Sequence, residues 1–202
     1  MVEMFWKCRK TLCRVVTLSL FMFVAFSNAS HACEQQYRHI CQFVEELKTR
    51  VRVIVLEDKA VRESLGQAVQ EVLDFPRLSK FAMGQYWKDA DMRQRDEFQD
   101  VYSQYIKKVY VTQLKEFAHH GMKILSVREL GEGKYAVRVR LTHPERRDDF
   151  IVLEFHIVEA STLKISDIRI NNSLSISVNQ RTMVNEVIQK YGIDGAISHF
   201  RK

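Results

Sequence analysis

The chain has 202 residues, 46% of them hydrophobic and 28% charged. These proportions exclude a disordered polymer and fit a globular domain that can bury a core without disulfide staples. The formal charge is +6, but no basic stripe interleaved with aromatics accompanies it, so the pattern offers nucleic acid no surface.

Residues 1–32 read as a signal peptide. Lys7, Arg9, Lys10 and Arg14 form a positive start, Val15 to Phe26 an apolar stretch, and Ser27-Asn28-Ala29 and Ser30-His31-Ala32 two small-x-small cleavage sites. Twelve mostly apolar residues fall short of the roughly 20 that span a bilayer, which argues against an uncleaved anchor. The leader holds four basic residues and one acidic one, so the exported chain has 27 basic against 24 acidic residues, a net of +3. That charge supports only a weak attraction to anionic head groups. Cleavage after Ala32 would make Cys33 the N-terminus, as in a lipidated protein, although Ser30 stands where such sites carry Leu.

Cys33 and Cys41 are the two cysteines outside the leader. If Glu34 onward is helical, their sulfurs lie about 12 Å apart along the axis, too far to bridge. A disulfide requires the segment around Cys33 to be uncoiled; otherwise both are free thiols.

Helices come first. From Glu34 to about Leu56 the apolar residues Ile40, Phe43, Val44, Leu47, Val51, Ile54 and Val55 keep the three-four spacing of one buried face. Asp58 can cap a second helix carrying Val61, Leu65, Ala68, Val69 and Val72. Asp74-Phe75-Pro76 restarts the chain into a short helix that stops at Gly84. Asp91 to Gln94 has the form of a capping box and opens a long helix with Phe98, Val101, Tyr102, Tyr105, Val109 and Tyr110 on one side.

At Gly121 the period changes to 2. Strands are predicted over Met122 to Leu130, Lys134 to Leu141, Phe150 to Glu159 and Leu163 to Ile170, the first pair joined by a turn at Gly131-Glu132-Gly133. Closing helices cover about Asn179 to Tyr191 and Asp194 to Arg201, separated by Gly192. Helices followed by consecutive antiparallel strands define an α+β fold: N-terminal helices on a four-stranded sheet, with C-terminal helices, in one domain over residues 33–202.

Several stretches resemble the MlaC family of periplasmic phospholipid shuttles, also called toluene-tolerance auxiliary components. Phe75-Pro76-Arg77-Leu78 leads into Met83-Gly84-Gln85-Tyr86-Trp87, similar to that family's Leu-Gly-x-Tyr-Trp element. Gln94-Arg95-Asp96-Glu97-Phe98 resembles its Gln-Arg-x-x-Phe helix start, with Tyr102 and Tyr110 further along. Leu163-Lys164-Ile165-Ser166-Asp167-Ile168 is similar to its Trp-Lys-Ile-x-Asp-Val strand. Ser175 precedes Arg181 by the family's six residues, and Gly192-Ile193-Asp194-Gly195 matches its closing turn. Leu163 in place of Trp, and Asn171-Asn172-Ser173 in place of an acidic-Gly pair, are departures.

The resemblance implies a cystatin-like fold with a strongly twisted sheet. It implies a phospholipid as cargo, its acyl chains in a pocket between helices and sheet and its head group facing solvent; no cofactor, metal or catalysis is expected. It also implies two partners: an outer-membrane lipoprotein–porin complex and an inner-membrane lipid ABC transporter.

A lipid carrier needs an apolar cavity of several hundred Å³ with no polar cluster deep inside. Val137, Val139, Leu141, Ile151, Leu153 and Phe155 can supply a strand wall, and Phe81, Met83, Tyr105 and Val109 a helical wall. Any one of the ten is more often an ordinary core residue, as apolar stripes normally are. Tyr86 and Trp87 suit either the pocket mouth or a loop clamp. Arg138 and Arg140 suit a solvated face or a docking surface.

Catalytic patterns are scarce. His119-His120 is a poor metal pair because neighbours on a helix point apart, and a helix C-terminus accounts for the cations. His143 and His156 have no carboxylate at motif spacing, and no phosphate loop, nucleophile elbow or zinc motif occurs. Two other classes stand beside the carrier. A small enzyme on this fold would show a strongly shifted group in the cavity, and a secreted interaction module would show a fully packed interior.

Overall fold

A computed structural model describes residues 33–146, 148–171 and 174–201. The proposed leader lies outside the described residues.

The first helix, α1 (Arg38–Glu57), starts four residues later than its periodicity suggests. Glu34 is extended (φ −57°, ψ 155°), and a 3-10 turn follows over Gln35–Tyr37. That uncoiled start folds Cys33 back to within 6.2 Å (Cα–Cα) of Cys41, and the two form a disulfide. Of the two arrangements the spacing left open, the chain adopts the bridged one.

Asp58 organises the entry to α2 (Val61–Val72) from two residues before its N-cap. Its carboxylate accepts the Ala60 N–H at 2.7 Å and the Ser64 hydroxyl. Asp74 caps α3 (Phe75–Met83), accepting from the Arg77 N–H at 3.2 Å with Pro76 in the first turn. One turn, α4 (Tyr86–Asp89), leads to α5 (Met92–Phe117). There Asp91 and Gln94 exchange both bonds of a capping box, at 2.7 and 3.1 Å. That reciprocal pairing satisfies two of the four N–H groups a helix start leaves open.

The sheet order is β1 (Gly121–Gly131), β2 (Lys134–Thr142), β3 (Phe150–Glu159), β4 (Leu163–Ile170) and a two-residue β5 (Leu174–Ser175), all neighbours antiparallel. Val139 sits opposite Ile124 on one side and Leu153 on the other, so the alternating apolar sets of three strands share a face. Register shifts at Ile124/Ser126, Glu129/Gly131 and His156/Ile157 insert extra residues, which increases local twist. Asn171, the first of the departing residues, takes φ +49° and closes the strand end by exchanging hydrogen bonds with Val152 at 2.8 and 2.9 Å. Asn is among the few residues that adopt this conformation readily.

The two predicted closing helices are halves of one element, α6 (Ile176–Phe200), broken at Gly192 (φ 70°, ψ 178°). It begins three residues before the expected Asn179 because Ser175 caps it, accepting from the Val178 N–H at 3.0 Å.

A single apolar core runs through the described residues. It has two parts. Around the first half of α5, Phe98 and Tyr102 stack at 5.2 Å with Phe200 of α6 edge-on to both. The second half of α5, with α1 and α2, lies over the sheet. Leu73, at the end of α2, bridges to Ile165, and the Asp74 N–H donates to the Ile165 carbonyl at 3.1 Å.

A candidate apolar ligand site

Between those helices and the sheet lies a cavity of about 110 Å³. Helical spacing builds one wall. Val44, Leu47, Lys48 and Val51 share a face of α1, Tyr110, Gln113, Leu114 and Phe117 share a face of α5, and Val69 and Val72 come from α2. Strand alternation builds the other, with Met122 of β1, Leu141 of β2, Leu153 and Phe155 of β3, and Ile168 and Ile170 of β4. The cavity runs diagonally across the sheet, from Met122 and Leu141 to β4 and the end of α2.

Only Lys48, Tyr110 and Gln113 bring polar atoms to this lining. Burial, and the nearby Asp167 carboxylate, push the Tyr110 phenol above its ordinary range. Lys48 is the one ionic group. Its Nζ donates to the Phe117 and Ala118 carbonyls at 3.0 and 2.7 Å, capping the end of α5. Burial first, and the Arg52 charge second, lower its pKa to about 8. Beyond it, the His120 ring stands 5.3 Å from the Phe117 ring and 5.3 Å from that of His143.

The structure distributes the sequence candidates over both parts of the core. Leu141, Leu153 and Phe155 line the cavity. Val137 and Val139 are fully buried on the same strands without lining it, and Ile151 is half-buried against the core. The helical candidates lie elsewhere. Met83 is fully buried at the end of α3, and Phe81 is 37% exposed beneath the Arg181 guanidinium, 5.2 Å from its ring. Tyr105 packs on Phe200 at 5.1 Å and donates to the Met183 sulfur at 3.7 Å. Val109 is half-buried one position before the lining residue Tyr110. Tyr86 and Trp87 pack partly buried against the core outside the cavity lining, with Arg95 over the Trp87 ring at 5.6 Å and its Nε donating to the Trp87 carbonyl at 2.9 Å.

The reason is geometric. Apolar periodicity marks the buried face of a helix but not which neighbour it meets, and α5 meets two in succession. The helical lining comes instead from α1, α2, the last turns of α5 and Ile176 at the start of α6. The sequence did carry one signal: Lys48 falls on the buried face of α1 by the same three-four count as Val44 and Val51.

The void is also smaller than the several hundred Å³ expected, because α1 and α2 lie close upon the sheet. Among the described residues no helix is long and apolar enough to cross a membrane, and no group of three metal-ligating side chains occurs.

These features define an α+β protein with a layer of helices over an antiparallel sheet and an apolar cavity between them. The family model of the MlaC protein matches residues 41–202, and the chain belongs to the MlaC family. No curated protein matches it. Among solved structures it is similar to a phospholipid-binding protein from Ralstonia solanacearum, determined in complex with a phospholipid. The TM-score is 0.66 at 20% identity, over 79% of this chain and 93% of that one.

Proposed function

We infer that this protein is an exported carrier that holds one phospholipid by its acyl chains in the cavity between α1, α2, α5 and the sheet. It moves that lipid between an outer-membrane lipoprotein–porin complex and an inner-membrane lipid ABC transporter, and so maintains the lipid asymmetry of the outer membrane. Residues 1–32 are its cleaved signal peptide, and residues 33–202 are the single working domain in the periplasm.

The observation that carries the reading is a lining drawn from four strands and four helices with a single ionic group at one end. Each methylene sheltered there contributes about 0.8 kcal/mol, so two acyl chains can offset departure from a bilayer. Family membership and the phospholipid bound to the Ralstonia protein support the same reading. The Cys33–Cys41 disulfide supports an oxidising compartment. Pockets that enclose small ligands hold about 300 Å³ or more, so acyl chains enter only as α1 and α2 lift from the sheet.

Catalysis has one observation in its favour, the lowered pKa of Lys48 inside the lining. That shift arises from burial and Arg52, and two of the ammonium's three N–H bonds go to main-chain carbonyls. It marks a held charge, and the other titratable group of the lining, the Tyr110 phenol, is pushed above its ordinary range by burial. The cavity itself argues against a fully packed interaction module.

Native mass spectrometry of the exported protein purified without detergent, followed by lipid extraction, tests the reading. A one-to-one adduct that extracts as a diacyl phospholipid is expected. A folded, lipid-free protein that takes up none from vesicles would sink it.

A further inference from the structure

A partly buried ammonium such as that of Lys48 gains from a carboxylate beside it, because desolvating an unpaired charge is costly. Lys48 has none: it makes no ion pair among the described residues, and its two hydrogen bonds go to the Phe117 and Ala118 carbonyls. One of its three N–H donors is left unspent. Beside it, His120 carries a second unmet group, for its Nδ1 is buried and has no hydrogen-bond partner among the described residues. Burial first, then His143 and Lys48, hold the His120 pKa below the ordinary value against the opposing pull of Glu116 and Asp149. His143 turns its Nδ1 to the Glu145 and Arg146 N–H groups, both at 3.2 Å. Accepting there leaves Nε2 as its protonated nitrogen.

Lys48, at one end of the lining, and the His120 ring, packed just outside it against the lining residue Phe117, have a chemical complement. It is an anion with several acceptor oxygens attached to an apolar body.

We propose that Lys48 and His120 form a phosphate subsite at the Phe117–Met122–Leu141 end of the cavity, which fixes a bound phospholipid with its phosphodiester there and its acyl chains running toward β4 and α2. This rests on the carrier reading and adds to it a ligand orientation and a basis of selection. The protein recognises the phosphodiester and not the alcohol beyond it, and it discriminates against acyl lipids that lack phosphate. The competing account makes Lys48 only a cap for the carbonyls of α5. A cap acts on stability and treats all acyl ligands alike, whereas a phosphate contact separates them.

The test compares two soluble ligands with the same chains, dioctanoylphosphatidylglycerol and dioctanoylglycerol, by titration calorimetry on delipidated protein. The parent is expected to bind the phosphatidylglycerol more tightly. Hydrogen bonds to charged groups set the size of the effect, so Lys48→Met weakens phosphatidylglycerol by about tenfold or more while dioctanoylglycerol stays unchanged. His120→Phe lowers the same affinity in the same direction, and Lys48→Arg retains it.

Equal losses for both ligands in Lys48→Met, or none for either, would overturn the subsite. If Lys48→Met does not fold, the parent alone decides, because equal affinity for the two ligands removes the subsite and leaves the carrier reading standing. A parent that binds neither ligand sinks the carrier reading and the subsite with it. Inorganic phosphate without lipid separates the two sources of the anion. A shift of the His120 ring NMR signals at millimolar phosphate would make this a free oxyanion site and overturn its assignment to a lipid head group.

Discussion

Gly84 leaves α3 at φ +59°, and a Cβ there would lie 2.9 Å from both Nε and Nη2 of Arg181. The spacing from Ser175 to Arg181 thereby acquires a physical meaning. Ser175 starts α6, Arg181 then passes over Gly84 and the Phe81 ring, and Asn185 donates to the Ala82 carbonyl at 2.8 Å. Gly84→Ala combines a disfavoured backbone with that collision, and an expected loss of about 1–3 kcal/mol shows in denaturant melts. Gly66 is the control, since it lies inside α2 and a Cβ added to it would meet nothing within 4 Å. Gly66→Ala gains about 0.5–1 kcal/mol because the helix no longer orders a glycine. Two phenols set the alkaline limit. Burial chiefly raises Tyr102 and Tyr110, with neighbouring Tyr110 and Tyr105 acting on the first and Asp167 on the second. A folded-state pKa above the unfolded value of about 10 means the stabilisation is complete below that pH and is lost as pH rises beyond it. Ultraviolet titration is expected to show these two phenolates appearing only with unfolding. Their ionisation in a still-folded chain would contradict the burial.

At the scale of elements, the strongest sequence signals were local. The Asp91–Gln94 box, the Asp74-Phe75-Pro76 restart, the glycine turn before β2 and the alternation of β2 and β3 all correspond to elements found, because period and capping chemistry act within a few residues. What could not be read was set by distant partners. The two residues of β5 carry no period, and the first turn of α6 alternates Ile176-Ser177-Val178 without a helical period, its Ser177 making sense only beside Asp167, with its N–H and hydroxyl donating at 3.2 and 2.8 Å. Likewise, the strand half of the cavity followed from alternation in Leu141, Leu153 and Phe155, while its helical half depended on which sections of α5 face the sheet. The Ser175 cap is therefore an element-level claim with its own test. Ser175→Ala removes the acceptor for the Val178 N–H and costs about 1 kcal/mol. Hydrogen exchange is expected to quicken at the first turn of α6 and not beyond Gly192. Uniform loss across α6 would mean that the cap holds more than the helix start.

For the whole molecule, the cavity is a cost as well as a site. Leaving about 110 Å³ unfilled forfeits roughly 2–3 kcal/mol at about 24 cal/mol per Å³. A ligand that fills it and binds only the folded state returns that energy and adds its own binding term. The ligand-free protein is accordingly the less stable form, and its stability and its capacity for a ligand draw on the same space. Val72 allows that opposition to be measured, since it lines the cavity from the last turn of α2 and is only partly buried, so a larger side chain can turn inward. Val72→Phe is expected to recover about 1 kcal/mol in lipid-free protein, which for a domain of this size raises the melting temperature by about 2–4 °C. The same ring occupies the path of an acyl chain, so the rise in melting temperature that phospholipid gives the parent shrinks or disappears. Thermal melts of delipidated and reloaded protein, parent and variant side by side, read both effects. A variant that gains stability yet keeps the full lipid increment would show that phospholipid binds outside this cavity. One that loses stability would show that α2 already packs on the sheet without room, and that opening costs more than the void suggests.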